Sequence, residues 1–97
     1  MAILLVQEFT GIGQSEYEGV IGELGLGIGD DSGWPDDIIS HVAGPTEDGW
    51  CIVDRWKSIE AFEAFMADRL GPAIERAGGM PEPRVTVAQI FNRYPAT

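Results

Sequence analysis

Residues 38–56 read IISHVAGPTEDGWCIVDRW, in which two short runs of apolar and aromatic residues flank a segment containing Gly and Pro. Runs of this length and composition favour β-strands, and the segment 44–49 between them favours a turn. The sequence therefore predicts a β-hairpin, with strands from Ile38 to Ala43 and from Trp50 to Trp56.

The segment before the hairpin predicts a strand followed by a helix. Residues 2–9 are rich in Ile, Leu and Val, which is typical of a strand with apolar side chains on both faces. Ser15 and Glu18 have the spacing of a capping box and predict the start of a helix, and Gly25 predicts its end. The apolar face of this helix consists of Tyr17, Val20, Ile21 and Leu24.

The segment after the hairpin predicts a second helix and a last strand. Ser58 is a suitable N-cap, and Gly71-Pro72 should bend or break the helix that follows. Residues 84–94 alternate in the manner of a strand. The resulting order, βαββαβ, predicts an α+β fold of the ferredoxin-like class over residues 1–97, a single domain with a four-stranded antiparallel sheet and two helices on one face.

Two of the predicted strands have apolar residues on both faces, although two helices can cover only one. Residues 3–6 (ILLV) and 51–53 (CIV) place apolar side chains alternately on opposite faces of the sheet. A second copy of the chain would cover the remaining face, so we expect a homodimer that packs sheet to sheet.

The charge of the chain excludes two classes of partner. The sequence has 16 Asp and Glu against 6 Lys and Arg, a net charge of −10, and residues 1–48 contain no basic residue other than His41. So acidic a chain lacks the basic surface that binds nucleic acid or anionic lipid. Its N-terminal apolar run is also too short to span a membrane. We therefore expect neither nucleic acid nor membrane as a partner.

Cysteine content and short motifs give no sign of a cofactor or metal. Cys51 is the only cysteine, which excludes an internal disulfide, and no signal peptide is evident, so we expect a cytoplasmic protein. The Gly-rich segment 25–29 follows a predicted helix rather than a strand, unlike a dinucleotide-binding loop. The Asp residues of segment 30–37 lack the spacing of a calcium-binding loop and are expected to be solvated.

Three consecutive segments resemble a known family. The hairpin HVAGPTEDGW (41–50), followed by VDRWKS (53–58) and AFEAF (61–65), is similar to the hairpin-to-helix junction of the dimeric α+β barrel proteins. Within this family, the chain most resembles small, largely uncharacterised bacterial proteins related to antibiotic-biosynthesis monooxygenases. The resemblance implies a dimeric α+β barrel, whose members include cofactor-independent oxygenases, polyketide cyclases, haem-degrading enzymes and proteins without known chemistry.

The lone histidine is the main catalytic candidate. If Gly44 faces Gly49 across the turn, His41 lies opposite Ile52. His41 and Asp54 are then diagonal neighbours on the same face and can form a hydrogen bond. An Asp partner would fix the tautomer of the imidazole and raise its basicity, as a general base requires. The alternative is structural, with His41 at a dimer interface and Asp54 solvated at the end of a strand.

Aromatic residues predict a small-molecule pocket between the sheet and the second helix. Trp50, Trp56, Phe65 and Tyr94 are expected to line or close it, and Trp34 is a further candidate because its indole N–H in a loop needs a partner. Arg55 and Arg93 would contact an anionic substrate. The predicted substrate-binding set is thus Trp34, Trp50, Trp56, Phe65, Tyr94, Arg55 and Arg93.

Two classes of function remain open from the sequence. In the first, the protein is an enzyme that acts on an aromatic or polyketide-type molecule without a metal or flavin, with His41 and Asp54 as the catalytic pair. In the second, it is a ligand-binding or structural dimer whose pocket is filled core. A related interpretation has His41 as an axial haem ligand.

Overall fold

The computed structural model describes residues 1–95, which form four strands and a set of helical segments. The strands are β1 (Ile3–Thr10), β2 (Ile38–Pro45), β3 (Gly49–Trp56) and β4 (Arg84–Gln89). The helices are α1 (Gln14–Leu24), α2 (Ile59–Phe65) and α3 (Gly71–Arg76), with a π-helical segment, Met66–Leu70, between α2 and α3.

The strands form one open sheet in the order β2-β3-β1-β4, and every neighbouring pair is antiparallel. The predicted α+β class and the four-stranded antiparallel sheet are confirmed, and the arrangement is consistent with a ferredoxin-like fold. None of the helices within residues 1–95 combines the length and the apolar character needed to cross a membrane.

Alternation along β1 and β3 separates a buried face from an open face. Ile3, Leu5, Gln7 and Phe9 are buried on the side of the helices, and the even-numbered residues of β3 join them. We call this side the helix face. The opposite side, the outer face, carries half-buried Leu4, Val6 and Val53 and exposed Val42, whose side chain is 66% accessible. Apolar residues therefore occur on both faces, as the sequence indicated.

The hairpin has a different register from the predicted one. His41 was expected opposite Ile52, but it pairs with Asp54, and Pro45 pairs with Trp50. The turn is closed by a hydrogen bond from the Thr46 N–H to the Gly49 carbonyl, 2.9 Å long. The predicted register was wrong by two residues. Because a shift of two returns each side chain to the same face, His41 and Asp54 still share the helix face.

The N-cap of helix α1 lies two residues earlier than the sequence predicted. Gly13 occupies the N-cap, and its N–H donates to the carboxylate of Glu16 at 2.7 Å, so the predicted cap at Ser15 and Glu18 is wrong. The Ser15 hydroxyl and the Gly13 N–H together lower the pKa of Glu16. The predicted end is confirmed, because Gly25 adopts a left-handed conformation with φ of 73°.

The second helical region is interrupted where Gly71-Pro72 predicted a break. The Ser58 hydroxyl accepts from the Ala61 N–H at 3.1 Å and caps α2 as expected. The backbone nitrogen of Pro72 has no hydrogen and cannot donate to the preceding turn. The five residues before Gly71 form the π-helical segment, in which the Gly71 N–H donates to the Met66 carbonyl. Helix α3 then contains Pro72 in its first turn.

Strand β4 is shorter than predicted. It ends at Gln89, opposite Ile3, and the Ile90 N–H makes a last hydrogen bond of 3.1 Å to the Ala2 carbonyl. Residues 91–94, which alternation had assigned to the strand, lie past the last ladder pair, in which Gln89 faces Ile3, the first residue of β1. The predicted strand over 84–94 is therefore wrong after Gln89.

Candidate functional site

A hydrogen-bonded His–Asp pair lies on the helix face of the β-hairpin. His41 Nδ1 is 2.7 Å from Asp54 Oδ1, because the two residues are direct partners across β2 and β3. Asp54 is 5% exposed and lies between two buried apolar clusters, one around Trp50 and the other around Trp56. The structure thus brings together the two predicted catalytic residues, and Asp54 is buried rather than solvated.

The surroundings of Asp54 fix the tautomer of His41. The indole N–H of Trp56 donates to Asp54 Oδ2 at 3.1 Å, so both carboxylate oxygens accept a hydrogen bond. An ionised carboxylate can only accept, so the proton of the imidazole resides on Nδ1. Nε2 of His41 is then an acceptor, which is the state that a general base needs.

Tyr17 on α1 completes this chain of hydrogen bonds. Its hydroxyl is 2.5 Å from His41 Nε2 and donates to it, and its ring lies nearly parallel to the imidazole at a centroid distance of 5.9 Å. Burial and the negative charge of Asp54 raise the pKa of Tyr17 to about 12. Tyr17 therefore stays protonated at neutral pH and serves as a hydrogen-bond donor.

Tyr17 did not emerge from the sequence as a site residue, because it belongs to the apolar stripe of α1 and fits an ordinary core position. One signal in the sequence could have found it. A tyrosine on the buried stripe of a helix needs a partner for its hydroxyl, and His41 is the only histidine in the chain. Which acceptor it meets depends on how α1 packs on the sheet.

An open cavity of about 770 Å³ lies over this chain of hydrogen bonds. It is bounded by α1, by strand β2 and by the loop 25–37. Its lining residues include Tyr17, Trp34, His41, Trp50, Gln14, Glu18, Asp30, Asp31, Asp36 and Ile39. The cavity is large enough for a small polycyclic molecule.

Trp34 forms the part of the wall that the loop contributes. Its indole N–H donates to the Gly27 carbonyl at 3.2 Å, and its ring lies 4.6 Å from that of His41. The loop approaches itself closely at Gly33, which has φ of +81° and whose Cβ, if present, would lie 2.4 Å from the Gly25 carbonyl oxygen. Glycine at position 33 therefore allows the loop to close and places Trp34 over the imidazole.

Trp50 also lines the cavity, next to Tyr17. The two rings are 5.2 Å apart, and Trp50 is buried among Phe9 and Ile52. Its indole nitrogen is buried and has no hydrogen-bond partner within residues 1–95. An unpaired buried donor of this kind costs roughly 1–3 kcal/mol.

The sequence predicted a pocket between the sheet and the second helical region, where the structure leaves little open space. A gap of only about 60 Å³ lies between the sheet and the helices, and its lining includes residues of α1 and the His41–Asp54 pair as well as Trp56, Phe62 and Phe65. Trp56 is 1% exposed and packs against both phenylalanines at centroid distances of 5.5 and 5.3 Å. The candidate pocket therefore lies at α1, and Phe65 belongs to the core.

Three other predicted residues, Arg55, Arg93 and Tyr94, do not line the cavity. Arg55 follows Asp54 in β3 and so points to the outer face, where its Nε donates to the Ser40 hydroxyl at 2.8 Å. Tyr94 is 97% exposed, and Arg93 is also exposed. Both lie beyond the end of β4, and neither is part of the cavity lining.

Within residues 1–95 there is no group of three or more His, Cys, Asp or Glu side chains placed to hold a metal ion. Asp30 instead accepts hydrogen bonds from the N–H and the hydroxyl of Ser32, which lower its pKa. Cys51 is half-buried on the outer face, next to Glu8 in β1.

Comparison of the chain with protein-family models, with curated proteins and with solved structures finds no match in any of the three.

Proposed function

We propose that the protein is an enzyme that removes a proton from a small aromatic or polyketide-type substrate without a metal or flavin. The observation that carries this proposal is the position of His41. Its Nδ1–H is held by the buried carboxylate of Asp54, while Nε2 is an acceptor at the wall of a 770 Å³ cavity. A base that is oriented in this way typically accelerates a reaction by about 10²–10⁴-fold.

The geometry gives His41 and Tyr17 separate roles. A substrate with an acidic C–H next to a carbonyl would present the hydrogen to Nε2, which accepts the proton. The Tyr17 hydroxyl, displaced from Nε2, would donate to the substrate oxygen on which negative charge develops. A phenol with a pKa of about 12 keeps its proton and so suits this second role.

Asp54 and Trp56 are positioning residues. Asp54 holds the imidazole in the required tautomer and stabilises the positive charge that forms when Nε2 takes up the proton. Trp56 donates to the other carboxylate oxygen and restrains Asp54 in the core. Neither residue is expected to touch the substrate.

The carbanion formed in this way has two outcomes that need no external cofactor. Molecular oxygen can add at the carbanion, and loss of water from the peroxide then converts a CH₂ group into C=O, so that the substrate supplies all the electrons that reduce O₂. Alternatively, the carbanion attacks a carbonyl group of the same molecule and closes a ring. We place oxygenation first because of the resemblance in residues 41–65.

The test uses anthrone, an aromatic ketone with an acidic CH₂ group. Exchange of these hydrogens in D₂O reports the base, whereas O₂ uptake with formation of anthraquinone and water reports oxygenation. We expect catalysed exchange by the natural protein and a loss of about 10²-fold or more in His41→Ala. Tyr94→Phe, an exposed residue outside the cavity, is the control. Unchanged exchange in folded His41→Ala would exclude His41 as the base.

The alternative is a non-catalytic binding protein, and the bond between Tyr17 and His41 favours it because the reactive nitrogen is already occupied. Saturable binding of anthrone without exchange of its hydrogens would support this alternative. A Soret band that forms on addition of haem and disappears in His41→Ala would instead support haem ligation.

We further propose that two copies pack through the outer face of the sheet. Leu4, Val6, Val42 and Val53 form an apolar patch there. The charged residues of this face are one acid, Glu8, and two bases, Arg55 and Arg84. On a chain with a net charge of −10, this face carries more basic than acidic residues, so a second copy can approach it without strong repulsion.

A further inference from the structure

The inference concerns the charge of the ligand and rests on the cavity of the proposed function. The lining contains four carboxylates, Glu18, Asp30, Asp31 and Asp36. Within the described part of the chain, it contains no Lys or Arg. The hydrogen bonds from Ser32 keep Asp30 ionised at neutral pH. The one basic side chain in the lining, His41, is already paired with Asp54.

The second feature of the cavity is its aromatic wall, which is independent of the acidic residues. Tyr17 and Trp34 both lie against His41, at ring separations of 5.9 and 4.6 Å, and Trp50 lies 5.2 Å from Tyr17. Aromatic rings attract cations as well as apolar groups, because the π-face carries partial negative charge. An ammonium group among these rings and carboxylates would therefore be attracted by both.

We infer that this cavity takes an aromatic ligand that carries a protonated amine, and that it discriminates against carboxylates and other anions. The aromatic part of the ligand would pack against Trp34 and Tyr17, with its reacting C–H toward His41. The ammonium group would lie toward the carboxylates of α1 and the loop 25–37. Arg55 and Arg93, which the sequence offered as contacts in case the substrate were anionic, do not line the cavity.

We attribute the selectivity for cations to the electric field of the four carboxylates that line the cavity. A cleft lined by one sign of charge raises the local concentration of oppositely charged molecules by roughly 10- to 1000-fold, and salt weakens the effect. The net charge of −10 on the chain has the same sign as this field, although Glu23 of α1 is paired with Arg76.

The test compares three fluorescent probes that share one ring system and differ in charge. They are anthracenylmethylamine, anthracenylmethanol and anthracenecarboxylate, and their Kd values are measured by fluorescence anisotropy at low and at high salt. We expect the amine to bind at least about tenfold more tightly than the carboxylate at low salt, with the ratio falling at high salt.

Two triple variants that remove the same number of charges test which carboxylates cause the preference for the amine. Asp30→Asn, Asp31→Asn and Asp36→Asn together should abolish most of the preference for the amine while binding of the neutral probe is retained. Glu47→Gln, Glu63→Gln and Glu82→Gln remove the same number of charges from exposed positions outside the lining and should leave the preference unchanged.

The outcomes separate this inference from the proposed function. Equal binding of the three probes, or tighter binding of the carboxylate, would overturn the cationic ligand and leave the role of His41 intact. An equal loss of preference in both triple variants would also overturn it, because net charge alone would then be responsible. Conversely, His41→Ala should keep the preference for the amine even if it loses deuterium exchange with anthrone.

Discussion

At the scale of single residues, the site is a chain of four polar groups set into an apolar face. Tyr17 donates to His41, His41 donates to Asp54, and Trp56 donates to the same carboxylate. A buried carboxylate without partners would be costly, and the Nδ1–H of His41 and the indole N–H of Trp56 stabilise that of Asp54. Removing any one donor therefore affects both the stability of the fold and the state of the imidazole.

Asp54→Asn should reverse the tautomer of His41. The amide of Asn can donate to Nδ1, which would move the imidazole proton to Nε2 and remove the base. Because His41 is the only histidine, ¹⁵N NMR of its ring can observe this directly. We expect an Nδ1–H tautomer in the natural protein, an Nε2–H tautomer in the variant, and deuterium exchange reduced by about 10²-fold or more. An unchanged tautomer would show that Asp54 does not orient the ring.

Tyr17 should make stability sensitive to alkaline pH. Its pKa is about 12 in the folded chain, against an ordinary value of 10.0. Between these values the folded state retains a proton that the unfolded state releases, so the free energy of unfolding falls as pH rises from about 10 to 12. Below this range Tyr17 has no such effect. In Tyr17→Phe the decline should be shallower, as measured by urea unfolding at several pH values; an equal slope in both proteins would contradict the buried phenol.

At the scale of elements, α1 and the loop after it decide where the cavity lies. The helix supplies Tyr17 and one wall, and the loop supplies Trp34 and most of the carboxylates. Strand β2 carries His41, and its pairing with β3 brings Asp54 opposite. The cavity is therefore the gap between α1, the loop 25–37 and the edge strand β2.

Replacement by alanine should change the stability of the protein in opposite directions at Gly22, within α1, and at Gly25, its C-cap. Gly22 lies within the helix, and a Cβ there meets nothing within 4 Å, so Gly22→Ala should stabilise the protein by roughly 0.5–1 kcal/mol. Gly25 has equal space but φ of +73°, so Gly25→Ala should destabilise it by about 1 kcal/mol. Thermal unfolding of both variants is the measurement, and the same sign for the two would contradict the assigned end of α1.

At the scale of the whole molecule, the outer face of the sheet is the feature that the single chain leaves unexplained. We predict a dimer in sedimentation experiments at micromolar concentration. Val42→Glu would bury a carboxylate without a partner in the apolar patch between the two copies and should give a monomer. Ala64→Glu adds the same charge on an exposed position of α2 and should remain dimeric. A monomeric natural protein, or a dimeric Val42→Glu, would exclude this interface.

The sequence predicted more of the sheet than of the site. Alternation and turn residues were sufficient for the β-hairpin, and even a register wrong by two residues kept His41 and Asp54 on one face. The π-helical segment was foreseen only as a break at Gly71-Pro72, because local sequence does not determine how a helix continues around a proline. The end of β4 was missed because alternation continues after Gln89, where pairing with β1 ends.

The order of strands and helices, the position of His41 and Asp54 on one face of the sheet and the acidity of residues 1–48 follow from the sequence alone, since each depends on local patterns or on composition. By contrast, the hydrogen bond from Tyr17 to Nε2, the position of the cavity at α1 and the contact between Trp34 and His41 appear only in the folded chain. These features depend on how α1 and the loop 25–37 pack against the sheet. Contacts between residues far apart in the chain arise from that packing, and no local pattern encodes them.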